Sequence, residues 1–400
     1  MYFRNNIFIN NYGDLFQRNK DVKRVKNLKE AIKYLKDEKK INNVYYANLK
    51  FRYNVSKTDN GFFVKKINKI TKKVVEETNY DLFANKHGKS ITYYSNNKIH
   101  TEHKYRHGKL LINSKIYNPN GTIQQETILE PTKKITKEYN KNGVLIFKIE
   151  KDILNDKNKY YYMAEYYKNG NKKFEGEYLN DKKNGKGTEY DEYKNIKFIG
   201  NFLNNQKNGK GTEYYKNGNK KFEGEYLNNQ KNGKGTEYYE DGYIKFEGEY
   251  LNDKKNGKGT EYDEYKNIKF IGNFLNNQKN GKGTEYYEDG YIKFMGNYLS
   301  NKRNGKGTEY YEEHTCIKFI GNYIDGQRCG EGTEYDTNEN IKFIGKYLNN
   351  ERCGIGIEYD KNGKSFMSCY NKGEQLNINN NVILNLLSNN KNKDKNINTK

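Results

Sequence analysis

The chain has 400 residues, a formal charge of +22 and a hydrophobic fraction of 33%, with 40 Tyr, two Pro and no Trp. That fraction is well below the roughly 45–50% of ordinary globular domains, so a conventional large core is excluded. The many aromatics in turn argue against general disorder, and no run of 18 apolar residues provides a transmembrane helix.

The basic excess is uneven. Residues 1–150 hold 31 Lys+Arg and 14 Asp+Glu, a balance of +17, which leaves +5 for the remaining 250 residues. A nucleic-acid binder would carry its charge beside presented aromatics, whereas here the aromatics read as buried, which argues against that partner. Richness in Lys, Asn, Ile and Tyr is also what an A+T-rich genome encodes. The start of the chain has no apolar h-region, and Cys316, Cys329, Cys353 and Cys369 form no C-x-x-C pair. We therefore expect a reducing, cytoplasmic setting without a zinc site, at most peripheral to a membrane.

In chain order, residues 1–75 form a basic N-terminal region. Within it, residues 21–40 predict a helix, with Asp21 as N-cap and Val22, Val25, Leu28, Ile32 and Leu35 on one face. Residues 76–173 read as decayed hairpins, because Tyr-rich and Asn-Gly-rich turns such as Tyr117–Gly121, Tyr139–Gly143 and Tyr166–Gly170 recur through them. His87, His100, His103 and His107 fall in this stretch. Their strand parity splits His100 from His103, so they predict solvated strand and turn residues and no metal site.

From Phe174 the sequence repeats eight times. Phe174, Phe198, Phe222, Phe246, Phe270, Phe294, Phe319 and Phe343 are 24 residues apart, with one step of 25. Counting from each Phe, position 3 is Gly (Gly176, Gly200), position 5 is Tyr or Phe (Tyr178, Phe202, Tyr226), positions 12 and 14 are Gly (Gly185, Gly187, Gly209, Gly211), and position 17 is Tyr (Tyr190, Tyr214, Tyr238). Fixed residues alternating with variable ones at period two mark a strand, so positions 1, 3 and 5 share a face and we expect Tyr190 and its equivalents on that face too. The N-D/N-x-K-N-G-x-G segment reads as the hairpin turn, followed by a second strand, K-G-T-E-Y. No single unit can bury its own aromatics, so neighbours must stack.

Position 10 is basic in every unit: Lys183, Lys207, Lys231, Lys255, Lys279, Arg303, Arg328 and Arg352. Placed in a turn, these eight predict a basic edge for a partner or an anionic lipid surface, running parallel to a row of position-16 Glu. Residues 366–387 read as a degenerate C-terminal cap in which Ser368 replaces the Gly, and residues 388–400 as a disordered tail.

The pattern F-E-G-E-Y-x-N-x-x-x-x-G-x-G-x-x-x-Y over residues 174–365 resembles the MORN repeat. The resemblance implies a mainly β fold, an elongated, twisted, single-layer antiparallel sheet of stacked β-hairpins, here with a short helical N-terminal region. It also implies a non-enzymatic scaffold for protein–protein interaction or assembly, with phospholipid-rich membranes and homodimer contacts as the family's other associations. No kinase or methyltransferase companion is evident, although an enzyme in the N-terminal region is the remaining alternative. Glu175/Glu177 pairs give way to Ile199/Asn201 in other units, and Asn184–Thr188 lacks the full phosphate-loop pattern. No catalytic residue, cofactor or bound metal is therefore expected.

Overall fold

In a computed structural model, the described residues are 6–9, 14–16, 23–24, 28–37, 43–47, 50–154, 160–312 and 315–377. The chain forms two compact units, residues 1–195 and 196–400. Apart from one parallel pairing near the N-terminus, both are built from antiparallel strands joined in sequence order, so the mainly β class expected from the sequence holds.

In the first unit, the strand Asn6–Ile9 pairs in parallel with Asn43–Ala47. The helix runs over Leu28–Asp37 and packs on Asn43–Ala47 and Phe51–Thr58, burying Ile32 and Leu35. It is shorter than the predicted 21–40: Lys23–Arg24 is a strand, and Asp21, Val22 and Val25 lie outside the described residues. From Asn43 each strand pairs antiparallel with the next, through Phe51–Thr58, Gly61–Asn68 and Val74–Tyr80 to Lys182–Tyr190. Hairpins thus begin before residue 76. Val55, Phe62 and Val64 are buried at this end.

In the second unit the same meander continues from Ile196–Leu203 to Glu374–Leu376. Ser365–Asn371 pairs with Glu351–Tyr359 and sets Ser368 opposite Gly356, while residues 388–400 lie outside the described residues.

Each repeat is one hairpin, but its turn is not where the sequence suggested. The strands of the first repeat are Lys172–Leu179 and Lys182–Tyr190, joined by Asn180 and Asp181 alone. Both have positive φ, 50° and 61°, as a two-residue type I′ turn requires. The turns of later repeats use Asn204–Asn205, Ser300–Asn301 and Asp325–Gly326 with the same left-handed backbone. The N-G-x-G segment belongs to the second strand. There the register shifts between Gly176↔Gly187 and Tyr178↔Lys183, and Gly185 takes a φ of 104° to pass the extra residues.

Candidate functional site

The register fixes two chemically different faces. Position 1 pairs with 16, position 3 with 14 and position 5 with 10, as in Phe222↔Glu237, Gly224↔Gly235 and Tyr226↔Lys231. Paired residues point the same way, so one face carries Phe, Glu, two Gly, Tyr and the basic residue. Positions 2, 4, 6, 13, 15 and 17 make the other.

On the first face the position-1 Phe rings are fully buried. Each lies over two glycines; a Cβ on Gly235 would stand 2.3 Å from the Phe222 Cζ atom. Each ring meets a position-5 ring edge-on within its repeat and another in the next. Phe222 lies 5.5 Å from Tyr226 and 5.2 Å from Tyr250, and the chain of rings runs from Phe202 to Tyr370. Such pairs add about 0.5–1.5 kcal/mol each beyond burial.

The eight position-10 cations cover this ladder. Their charged groups lie 3.8 to 4.4 Å from the centroids of the Phe rings beneath. Seven of them also pair with position-16 carboxylates: Lys207 with Glu213 at 2.6 Å and Lys255 with Glu261 at 2.8 Å within a repeat. The longer Arg side chains reach back one repeat, Arg328 to Glu309 at 2.6 Å and Arg352 to Glu334 at 2.7 Å. Burial opposes ionisation of Glu213, Glu309 and Glu334, but the hydrogen bond and charge of each basic partner outweigh it and hold their pKa values below the usual carboxylate value. Burial lowers the Lys231 and Lys279 ammonium pKa values.

This corrects two expectations. The position-10 residues are strand residues set among acids over aromatic rings, not a free basic edge on a turn. Tyr190, Tyr214 and Tyr238 stand on the opposite face from Phe174 and Tyr178. The Tyr190 hydroxyl donates to Glu175 at 2.6 Å, and burial together with that carboxylate pushes its pKa up to about 12. The constancy of Glu at position 16 and of a cation at position 10 across all eight units was the missed signal. Both are as fixed as the aromatics because they belong to the same packed face.

The second face is open. Positions 2 and 15 form one row across the strands, and positions 4 and 13 form the next. Between them the backbone of positions 3 and 14 is bare, because these residues have no side chain and their Cβ directions belong to the other face. A trough of about 690 Å³ results over the third to fifth repeats, floored by Gly248, Gly259 and Gly272 and walled by Thr260, Ile271 and Lys258. The first row changes character along the unit. In the second unit it starts with Ile199 and Thr212 and carries Glu223 and Glu247 in the next two repeats, then runs Thr260, Ile271, Thr284, Met295, Thr308, Ile320, Thr333, Ile344, Ile357 and Met367 on ten successive strands. At about 4.8 Å per strand this apolar and threonine row is about 43 Å long. Ile271, Met295 and Ile320 are 40%, 46% and 40% exposed. A parallel row of Leu275, Leu299, Ile324 and Leu348 is about half exposed. Between the two rows, Lys210 and Lys234 face Glu225 and Glu249, whereas Lys258, Lys282 and Lys306 face Asn273, Asn297 and Asn322.

The fold and these faces define an open, β-hairpin repeat protein. The MORN repeat family model matches residues 174–192, 198–220, 222–242, 246–264, 270–290, 294–315, 319–341 and 343–365, so the stretch 174–365 is a tandem array of MORN repeats. No curated protein matches the chain in sequence. Among solved structures, a chain of the Photorhabdus luminescens Tc holotoxin pore is similar at 10% identity over 82% of this chain and 20% of its own, with a TM-score of 0.16. The present chain thus spans about a fifth of that one.

Proposed function

We propose that the array is a non-enzymatic scaffold that holds a protein partner on the open face of its repeats. The carrying observation is the contrast between faces. On one, aromatic rings and charges are packed against one another; on the other, a row with exposed Ile271, Met295 and Ile320 and a row with exposed Leu275, Leu299, Ile324 and Leu348 flank a polar row. Isolated exposed apolar residues are ordinary, but contiguous rows mark interaction surfaces. Cytoplasmic residence, drawn from the cysteine usage, is part of this reading.

The test is capture with the full chain as bait, compared with a Met295→Glu/Ile320→Glu/Ile344→Glu variant and with a Glu240→Lys/Glu264→Lys variant altered at the connectors. The reading expects one set of proteins retained by wild type and the connector variant and lost from the open-face variant. Equal capture by all three contradicts it.

A second reading has its own observation. Lys258, Lys282 and Lys306 stand opposite asparagines rather than acids and beside the apolar row, a combination that suits an anionic phospholipid surface. In that case pelleting with anionic but not neutral vesicles is expected, weakening with salt and lost in Lys258→Glu/Lys282→Glu/Lys306→Glu. If wild type does not pellet at low salt, this reading fails and the protein-partner reading is untouched.

A further inference from the structure

The divergent hairpins bring together residues far apart in sequence. Asp81 opens the turn between Val74–Tyr80 and Lys86–Tyr93, His87 begins the second of these strands, and His107 sits in the tight turn after Ile99–Arg106. One ligand atom from each of Asp81, His87 and His107 lies within 4.8 Å of the others. We propose that these three side chains form a binding site for a divalent first-row transition ion, with zinc as its representative.

The geometry of Asp81 supplies the first argument. Its Oδ1 accepts the backbone N–H groups of Phe83 and Asn85, both at 2.9 Å. Asp191, Asp263 and Asp336 hold their connectors by the same two bonds. In those turns the second carboxylate oxygen accepts the side-chain amide of the Asn four residues on. In Asp81 the second oxygen, Oδ2, also meets His107 Nδ1 at 2.8 Å. One oxygen is committed to the fold and the other points at an imidazole.

The second argument is the pair of histidines. Their ring centroids are 4.8 Å apart, and His87 Nδ1 accepts the His107 backbone N–H only at a long 3.4 Å. His107 is held there by a left-handed backbone, φ 47°, at a position where the later repeats use Asn, Ser or Asp. Bonds of about 2.0–2.2 Å to zinc put neighbouring ligand atoms about 3.0–3.5 Å apart, so the Asp81–His107 contact need open by only a few tenths of an ångström. Two imidazoles and one carboxylate favour zinc, nickel or copper over magnesium or calcium. His107 is well exposed, which leaves room for water to complete the coordination. His100 stays apart, its ring against Tyr94 at 4.4 Å. The ion would tie the turn at His107–Gly108 to the turn at Asp81–Asn85, pinning two adjacent hairpins at the same sheet margin.

The experiment is a calorimetric titration of zinc chloride into the full chain without an affinity tag. One site of micromolar affinity or tighter is expected. His87→Gln and His107→Gln should each weaken it tenfold or more, and His100→Gln should leave it unchanged. Asp81 is left intact because it also holds its turn, and circular dichroism checks that each variant is folded. Cobalt(II) supplies a second readout: an oxygen and nitrogen site gives weak visible bands without intense near-ultraviolet thiolate absorption. No zinc uptake by wild type, variants that bind like wild type, or a thiolate signature from the cysteines each overturns the proposal.

Discussion

Adding one methyl group at Gly259 tests the packed face at its tightest point. A Cβ there would stand 2.3 Å from Phe246 Cζ and 2.5 Å from Cε2, where ordinary carbon contacts are about 3.5–4.0 Å. The ring cannot slide freely. Tyr250 and Phe274 lie edge-on to it at 5.5 and 5.2 Å, and the Lys255 ammonium sits 4.3 Å above it. Relief of more than 1 Å must therefore disturb two rings, a cation and the strand pairing, and overpacking of this kind costs about 1–3 kcal/mol. Phe246→Ala removes the obstruction and costs about 3–5 kcal/mol by itself. The two changes share one space, so the double variant should be more stable than additivity predicts by about 0.5–3 kcal/mol. Because contacts run only between neighbouring repeats, local amide hydrogen exchange in Ile244–Leu251 and Lys254–Tyr262 is the suitable assay. Strict additivity, or a silent Gly259→Ala, would refute the ring-on-glycine packing.

Three further outcomes are expected. Lys279→Glu and Lys282→Glu lie three residues apart in one strand. The first places a carboxylate against Glu261 and Glu285 and over Phe270 and should destabilise by about 1–3 kcal/mol, whereas the second, on the open face opposite Asn297, should stay within about 0.5 kcal/mol in thermal melts. Acid should act through Glu213, Glu309 and Glu334. Their folded pKa values are depressed, so their stabilisation is complete above the unfolded value near 4.3 and is lost as pH falls through the lower folded values; Arg328→Met should flatten that acid limb in a pH series of melts. Tyr190 behaves oppositely: its raised pKa contributes stability that is full below about pH 10 and is lost as pH rises toward about 12, and a Tyr190→Phe variant should lose that part of the alkaline transition followed by tyrosinate absorbance.

The repeat, its Phe–Gly–Tyr face and its hairpin class were legible because period-two alternation is local and was repeated eight times. The turn and the faces of the second strand were not. Asn180–Asp181 and Asn184–Gly185 are equally good turn sequences, and only pairing decides that the first pair turns while the second forms the bulge. That choice moves Lys183 from a solvated turn to a half-buried site over Phe174, and it sets Tyr190 on the face of Glu175. The helix was begun too early because Lys23–Arg24 pairs with Asp14 and Leu15 as a short strand, a contact that helical spacing in the local sequence does not encode. The approach of Asp81 to His107 spans 26 residues and two hairpins, a distance that no local pattern encodes.

The claim that the open face is the interaction surface and the aromatic face a structural one is tested most directly by site-specific photo-crosslinking. A photoreactive amino acid is placed in turn at Met295 and Ile320 on the open face, and at Tyr287 and Tyr311 beside the charged ladder, and the chain is irradiated in an extract of its source cells. The account predicts a discrete adduct from Met295 and Ile320 and none from Tyr287 or Tyr311. Adducts from Tyr287 and Tyr311 alone would contradict it.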